Sequence, residues 1–370
     1  MKPVASSAQV TAPTKAAVPL DGQMRAAVYR GKANVVVEDV PVPVIADGEV
    51  LIQVAACGIC GTDLKKIEYG FLPPPLILGH EIAGTVVAVG RGVRRWKIGD
   101  RVVSFHHIPC GACFYCERRL FSQCPTYKKV GVTAGFQPSG GGFAEYVRVM
   151  PWIVERGMIA IPPDISFEEA TFVEPVNTCL KAVRKARVAK DESVVVIGQG
   201  PIGLLLMMLS RLEGARVLTT DLIPERRRRS LQYGATFSLD PASTDLVSEV
   251  RRWTEGRGAD AVLLAVPSPA LVSDALGLAR PGGRVLLFAH NDPVMRIEFP
   301  AAAVGVEEKE ILGSYSAAVD LKGESVGLVF KRLVPVRELV SHRFSLEDIQ
   351  RGLQVAAQPA GDSLKVVIVP

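Results

Sequence analysis

Four of the seven cysteines lie close together, at Cys110, Cys113, Cys116 and Cys124, spaced C-x2-C-x2-C-x7-C. Four thiolates on one short loop can close a tetrahedron around zinc, with metal–sulfur bonds of about 2.3 Å. A site filled by four thiolates has no open position for a substrate, so its role is structural and the chemistry must come from elsewhere. A second set of candidates is built differently: Cys60 in CGICGTD (57–63), His80 in GHE (79–81) and Glu174 in FVEP. One sulfur, one nitrogen and one oxygen with a free fourth position is how catalytic zinc sites are made. Each of the three has a duller reading when taken singly. Cys60 could be a small buried hydrophobe, His80 a hydrogen-bonded core histidine and Glu174 a surface carboxylate. The chain has only 5 histidines, so composition does not force one beside a glutamate.

A third motif is Gly198-Gln199-Gly200-Pro201-Ile202-Gly203, which fits G-x-G-x-x-G. It follows the apolar run VVVIG, opens a helical pattern, and is followed by Asp221 at the end of the next apolar run. That context is what a dinucleotide fingerprint requires. Gly198 allows the tight turn, Gly200 admits the pyrophosphate, and Gly203 lets helix and strand pack closely. The helix start at Pro201 and Ile202 then offers free N–H groups to the anion. Asp221 accepts from the adenosine ribose, and its charge favours NAD over NADP. The run Arg226–Arg229 reads as the solvated face of the next helix, with Arg226 the one counted among cofactor contacts.

The elements that must position these groups fall into two patterns. Residues 24–174 carry short apolar runs such as VVVEDV, EVLIQVAAC and IAGTVVAVG with Gly and Pro between them, a β-rich signature. Residues 175–313 alternate strand and helix patterns, which predicts a parallel, doubly wound sheet. The stretch 314–370 ends in LKVVIVP, a strand expected to return to the first domain. Residues 1–23 show no period and read as a flexible tail.

Bulk numbers exclude several classes. With 370 residues, two domains are expected. A hydrophobic fraction of 48% and a charged fraction of 22% fit a soluble globular chain. Net charge is +5, from 43 basic and 38 acidic residues, without the stripe a nucleic-acid partner needs. The run LLLMMLS is too short to span a bilayer, so no membrane partner is expected. No secretory signal is evident, which points to a cytoplasmic protein with reduced cysteines and to metal over disulfides.

Together these motifs resemble the zinc-dependent medium-chain alcohol dehydrogenases over residues 24 to 370. The resemblance implies a β-rich GroES-like catalytic domain plus a Rossmann cofactor domain, two Zn2+ ions per chain, NAD, and a homodimer or homotetramer. It selects Cys60 over Cys57 as zinc ligand, leaving Cys57 and Cys179 to packing. His80 is the second ligand. Glu174, followed by Pro, points to the polyol and threonine dehydrogenase branch, either on zinc directly or through water. The implied roles are Thr62 at the start of a proton relay, Asp63 orienting His80, and Glu81 beside the metal assisting ligand exchange. A small-molecule secondary alcohol is the implied substrate, oxidised by hydride transfer to nicotinamide. An L-threonine 3-dehydrogenase and a non-catalytic NAD-binding relative are the alternatives. Sorbitol dehydrogenases carry an Arg-Tyr pair where this chain reads Ser314-Tyr315-Ser316, so sorbitol itself is disfavoured. Lys65 and Lys66 read as exposed lysines of a first helix. His106, His107, His290 and His342 are expected to pack or hydrogen-bond.

Overall fold

The computed structural model of the chain describes residues 22–70, 72–127, 132–136, 140–266, 268–288 and 296–370. All but the last two residues of the expected tail, and His290, lie outside the described residues.

The first domain is built on the strand Val50–Gly58, whose side chains are buried almost throughout. It pairs antiparallel with Glu81–Val89, from Val50 opposite Val89 to Gly58 opposite Glu81. On its other side Val367 and Ile368 of the last strand, Lys365–Ile368, lie antiparallel to Gly58 and Cys57. The sheet continues outward from there through Val340–Phe344, and on the far side through Arg101–Ser104 and Met158–Ala160. A three-stranded sheet of Asn34–Pro41, Gln23–Gly31 and Leu76–Ile77 packs alongside. Leu51, Ile52, Ile82, Val86 and Val147 fill the core between them.

The second domain is a six-stranded sheet. Its spatial order is Phe237–Leu239, Arg216–Thr220, Ser193–Ile197, Ala259–Leu264, Ala279–Leu287 and Glu310–Gly313. Every adjacent pair is parallel. The strands read as continuous Val/Leu/Ile runs because helices cover both faces and bury both sets of side chains. Strand order reverses between Ser193–Ile197 and Ala259–Leu264. The crevice at their C-terminal ends is where doubly wound sheets bind ligands.

A helix at Val173–Lys185, which the sequence reading did not separate from the domain boundary, joins the two halves. Its Val173, Val176, Leu180 and Val183 share one apolar cluster with Ala83 and Val103 of the first domain and Val194 and Leu204 of the second. Just before it, Ser166 caps the short helix Phe167–Thr171, its hydroxyl accepting from the Glu169 N–H while Glu169 accepts from the Ser166 N–H. Arg332, far along the chain, donates to the same Glu169 at 3.1 Å.

Candidate active site

The strand Val50–Gly58 ends, and two residues later Cys60 stands as N-cap of the helix Gly61–Tyr69. Asp63, in the first turn of that helix, is fully buried, and its Oδ2 accepts from the Cys60 N–H at 3.2 Å. Asp63 Oδ1 faces His80 Nδ1 at 3.1 Å and accepts from the Gly79 N–H at 3.4 Å. Gly79 has φ +86°, and a Cβ there would lie 2.7 Å from Phe143 and 2.9 Å from the Cys57 sulfur. Only glycine turns the chain in that space, delivering His80 and Glu81 to the start of the next strand. Cross-strand pairing of Gly58 with Glu81 then brings the two segments together.

The outcome is a cluster in which one donor atom each of Cys60, His80 and Glu81 lie within 4.8 Å of one another. Glu174, expected as the oxygen ligand, is not part of that trio. It sits in the first turn of Val173–Lys185 and is buried. Its carboxyl still lies close enough to His80, Glu81 and Asp63 to feel their charges, so it borders the cluster. Glu81, which the resemblance implies stands beside the metal, is brought into the cluster at the start of the strand Glu81–Val89. Thr62, directly before Asp63 on the same helix, is half-buried.

Sequence reasoning missed Lys365, on the last strand. It is buried, its Nζ donates to the Ile59 carbonyl at 3.0 Å and to Glu81 Oε1 at 2.6 Å. A lone lysine heading an apolar strand in LKVVIVP was the only trace of it.

Electrostatics favour a cation in this cluster. Burial by itself would strip the proton from His80, but Asp63 and then Cys60 outweigh it and push its pKa well up. Asp63 is opposed by burial and still held below the usual range by the charge and hydrogen bond of His80. Burial, reinforced by Glu81 and Asp63, pushes the Glu174 carboxyl up to about 7. A proton is thus drawn into the place where a thiol, an imidazole and a carboxylate converge, and a divalent ion would satisfy the same field. The donor set fits zinc.

His106 is also buried, 4.7 Å from the His80 ring centre to centre. Burial, then His107 and His80, holds its pKa well below the usual value, so it is neutral. Cys57 and Cys179 are fully buried, and burial raises both thiols well above their ordinary pKa.

The four-cysteine loop closes on itself. Sulfur atoms of Cys110 and Cys116 lie 3.8 Å apart and those of Cys113 and Cys116 3.5 Å apart. A tetrahedron with bonds of about 2.3 Å has edges of about 3.8 Å, so these spacings suit zinc and not a disulfide. Burial raises the Cys124 thiol, but the Cys110 N–H and Thr126 outweigh it and hold it at about 6. Burial pushes Cys116 up to about 12.

In the second domain the turn predicted from G-x-G-x-x-G forms. Gly198 has φ +88°, and a Cβ at Gly203 would lie 1.7 Å from the Gly198 carbonyl oxygen. Pro201 is the first residue of the helix Pro201–Leu212 and Ile202 the second. Asp221 sits under the loop, its Oδ2 accepting from the Gln199 N–H at 2.6 Å and its Oδ1 from the Ile223 N–H at 2.8 Å. The arginine run departs from a solvated face. Arg226 is turned inward, 4.0 Å from Asp221 Oδ2, and donates to the Ser363 carbonyl at 3.0 Å. Its guanidinium lies 3.6 Å from where a Gly200 Cβ would sit. Arg227 folds back on the Asp221 and Leu222 carbonyls. Arg228 alone of these three is largely exposed, paired with Glu225 at 2.6 Å.

Comparison with known proteins adds an independent line. Residues 46–161 match the model of the alcohol dehydrogenase GroES-like domain, and residues 201–329 that of zinc-binding dehydrogenases. A sorbitol dehydrogenase of Bacillus subtilis is 30% identical over 94% of this chain and 97% of its own length. An L-threonine 3-dehydrogenase of Symbiobacterium thermophilum is 33% identical over 90% of this chain and 93% of its own. A zinc-binding dehydrogenase from Sinorhizobium meliloti, solved with NADP bound, superposes with TM-score 0.84 at 29% identity, covering 95% of this chain and 100% of that one.

Proposed function

Since the chain belongs to the zinc-dependent medium-chain alcohol and polyol dehydrogenase family, and is an oxidoreductase, we propose that it oxidises a secondary alcohol of a polyol, sugar alcohol or related hydroxy compound. The observation that carries this reading is the convergence of Cys60, His80 and Glu81, backed by buried Asp63, Lys365 and Glu174.

Cys60 and His80 would hold a zinc ion, with Glu174 as the expected third ligand and Glu81 beside it, and the ion would act as a Lewis acid toward the substrate hydroxyl while a bound nicotinamide would accept the hydride. The chain's own residues do the rest. Asp63 fixes the His80 ring through Nδ1 and leaves Nε2 as its free donor. Lys365 holds Glu81 at the strand start and offsets its charge in a dry setting. Glu174, with its carboxyl at about 7, can carry a proton near neutral pH. Thr62 supplies a hydroxyl one turn from Lys66 for proton passage toward solvent. A second zinc in the four-cysteine lobe is structural.

For the dinucleotide, we read NAD. Asp221 presents an acidic group under the glycine loop, which disfavours a 2′-phosphate. Arg226 is committed to Asp221 and the Ser363 carbonyl, which supports the same choice. Seven free cysteines suit a reducing compartment such as the cytoplasm. Among the described residues no helix is long and apolar enough to cross a membrane. Assembly as a homodimer or homotetramer follows the family expectation.

The test is NADH formation by purified protein across sugar alcohols, vicinal diols, threonine and simple alcohols, each with NAD and with NADP. Turnover of polyols or diols with NAD is the expected result. Turnover of threonine alone would select the threonine dehydrogenase reading, which the identity to the Symbiobacterium enzyme favours as the second choice.

A further inference from the structure

Tyr127 belongs to the four-cysteine lobe. Its ring is buried against Cys116 and Cys124, and its N–H donates to the Cys124 carbonyl at 3.0 Å. Yet the same side chain reaches two places outside the lobe.

In one direction a row of rings runs from it to the catalytic cluster. Ring centres are 5.2 Å apart from Tyr127 to His107, 4.2 Å from His107 to His106, and 4.7 Å from His106 to His80. Rings in contact at these spacings pack as a column, and a shift of one member must be taken up by the next.

In the other direction the Tyr127 hydroxyl lies 2.9 Å from Ser316 Oγ and donates to the Ala317 carbonyl at 3.5 Å. That segment leaves the C-terminal end of the edge strand, Glu310–Gly313, and, since all the strands run parallel, lies at the same end of the sheet as the crevice. It needs holding, since Ser316 has φ +61°, a conformation that non-glycine residues adopt at a cost. Lys181 donates to the Tyr315 carbonyl at 2.7 Å, and Asn177 Oδ1 accepts from the Ala318 N–H at 2.7 Å. These two grips come from the helix joining the domains. Tyr127 is the grip that comes from the lobe.

We propose that Tyr127 is a positioning residue that ties the four-cysteine lobe to both walls of the active site, to His80 through the His106–His107 column and to the cofactor crevice through Ser316. A metal held by the four cysteines would then do more than stabilise a surface loop: the loop it closes carries Tyr127, and Tyr127 sets the place of His80 and of residues 315–318. This rests on the dehydrogenase reading above.

Two substitutions separate the two arms. Tyr127→Phe keeps the ring and removes the hydroxyl. Equilibrium fluorescence titration with NADH should show about fivefold weaker binding, the effect of one hydrogen bond. Tyr127→Leu removes the ring as well. With cobalt(II) exchanged for zinc at the site of Cys60 and His80, its visible absorption bands should shift and cobalt affinity should fall about tenfold, as for residues supporting a metal ligand. Tyr115→Leu, at a more exposed lobe position, should change neither. Unaltered NADH affinity in Tyr127→Phe overturns the crevice arm. An unaltered cobalt spectrum in folded Tyr127→Leu overturns the column, and if that variant does not fold, Tyr127→Phe still decides the crevice arm while His107→Leu repeats the cobalt measurement from inside the column. Wild-type protein that binds neither NADH nor cobalt would instead remove the dehydrogenase reading itself.

Discussion

Cys60 has one role that serine cannot fill at this place, a soft thiolate donor next to an imidazole and a carboxylate. Cys60→Ser should abolish turnover and lower the zinc content by one ion per chain, with circular dichroism unchanged. Turnover at the original rate would remove the mechanism. The buried pair of Lys365 and Glu81 makes a sharper energetic statement. Removing one member leaves a charge in the interior, which costs about 3–5 kcal/mol. Lys365→Met should therefore lower the denaturant midpoint of the metal-free protein strongly. It should do so less in the zinc-loaded protein, where the ion itself faces Glu81. Cys60, His80 and the quartet were legible because metal chemistry restricts residue type and spacing. Lys365 was not, because nothing local marks it: its partner lies 284 residues away. Whether Glu174 meets the metal directly or through water also lay beyond the sequence. It depends on where a strand begins relative to a helix on another part of the chain.

At the scale of elements, the glycine loop shows why context made a weak motif strong. Strand, turn and helix follow one another without a spare residue, and a Cβ at Gly203 would collide with the Gly198 carbonyl 1.7 Å away. Gly203→Ala should weaken NADH binding by tenfold or more and lower the melting temperature, both read by a fluorescence titration and a thermal scan. The strands of both domains were readable from their apolar runs. The helix Val173–Lys185 was not singled out, although Glu174, Asn177, Thr178, Lys181 and Arg184 recur at helical spacing; its polar stripe is itself largely covered, with Asn177 and Lys181 bonded to Ala318 and Tyr315. The cap before it gives a pH prediction. Burial raises the Glu169 carboxyl, but the Ser166 N–H and Arg332 outweigh it and hold its pKa below the usual value. A depressed carboxylate stabilises the fold above its unfolded pKa, and that contribution is lost as pH falls through the folded one. The melting temperatures of wild type and Glu169→Gln should thus differ at pH 7 and converge on acidification. A gap that stays constant down to acid pH would rule out the ionised cap.

At the scale of the whole molecule, the described residues of the lobe meet their surroundings through the Tyr127 hydroxyl, the Lys181–Ser122 bond at 3.3 Å and the Arg119–Asp320 pair, among others. Its own apolar cluster is small, three buried residues with three half-buried ones against it. Metal must therefore supply most of its cohesion. Cys113→Ser should release one zinc and lower the melting temperature by several degrees, with a change in quaternary state by light scattering. A melting curve identical to wild type would argue against a structural ion there. The catalytic domain is also discontinuous, since its sheet is closed by Lys365–Ile368 from the far end of the chain. On the ribosome the dinucleotide domain can form while this strand is still in the exit tunnel. The catalytic pocket cannot, because the lysine that balances its buried acid is made only after the whole dinucleotide domain. A nascent chain stalled before residue 365 would hold a folded cofactor domain beside an unfinished catalytic one, and would be inactive until that strand was made and paired.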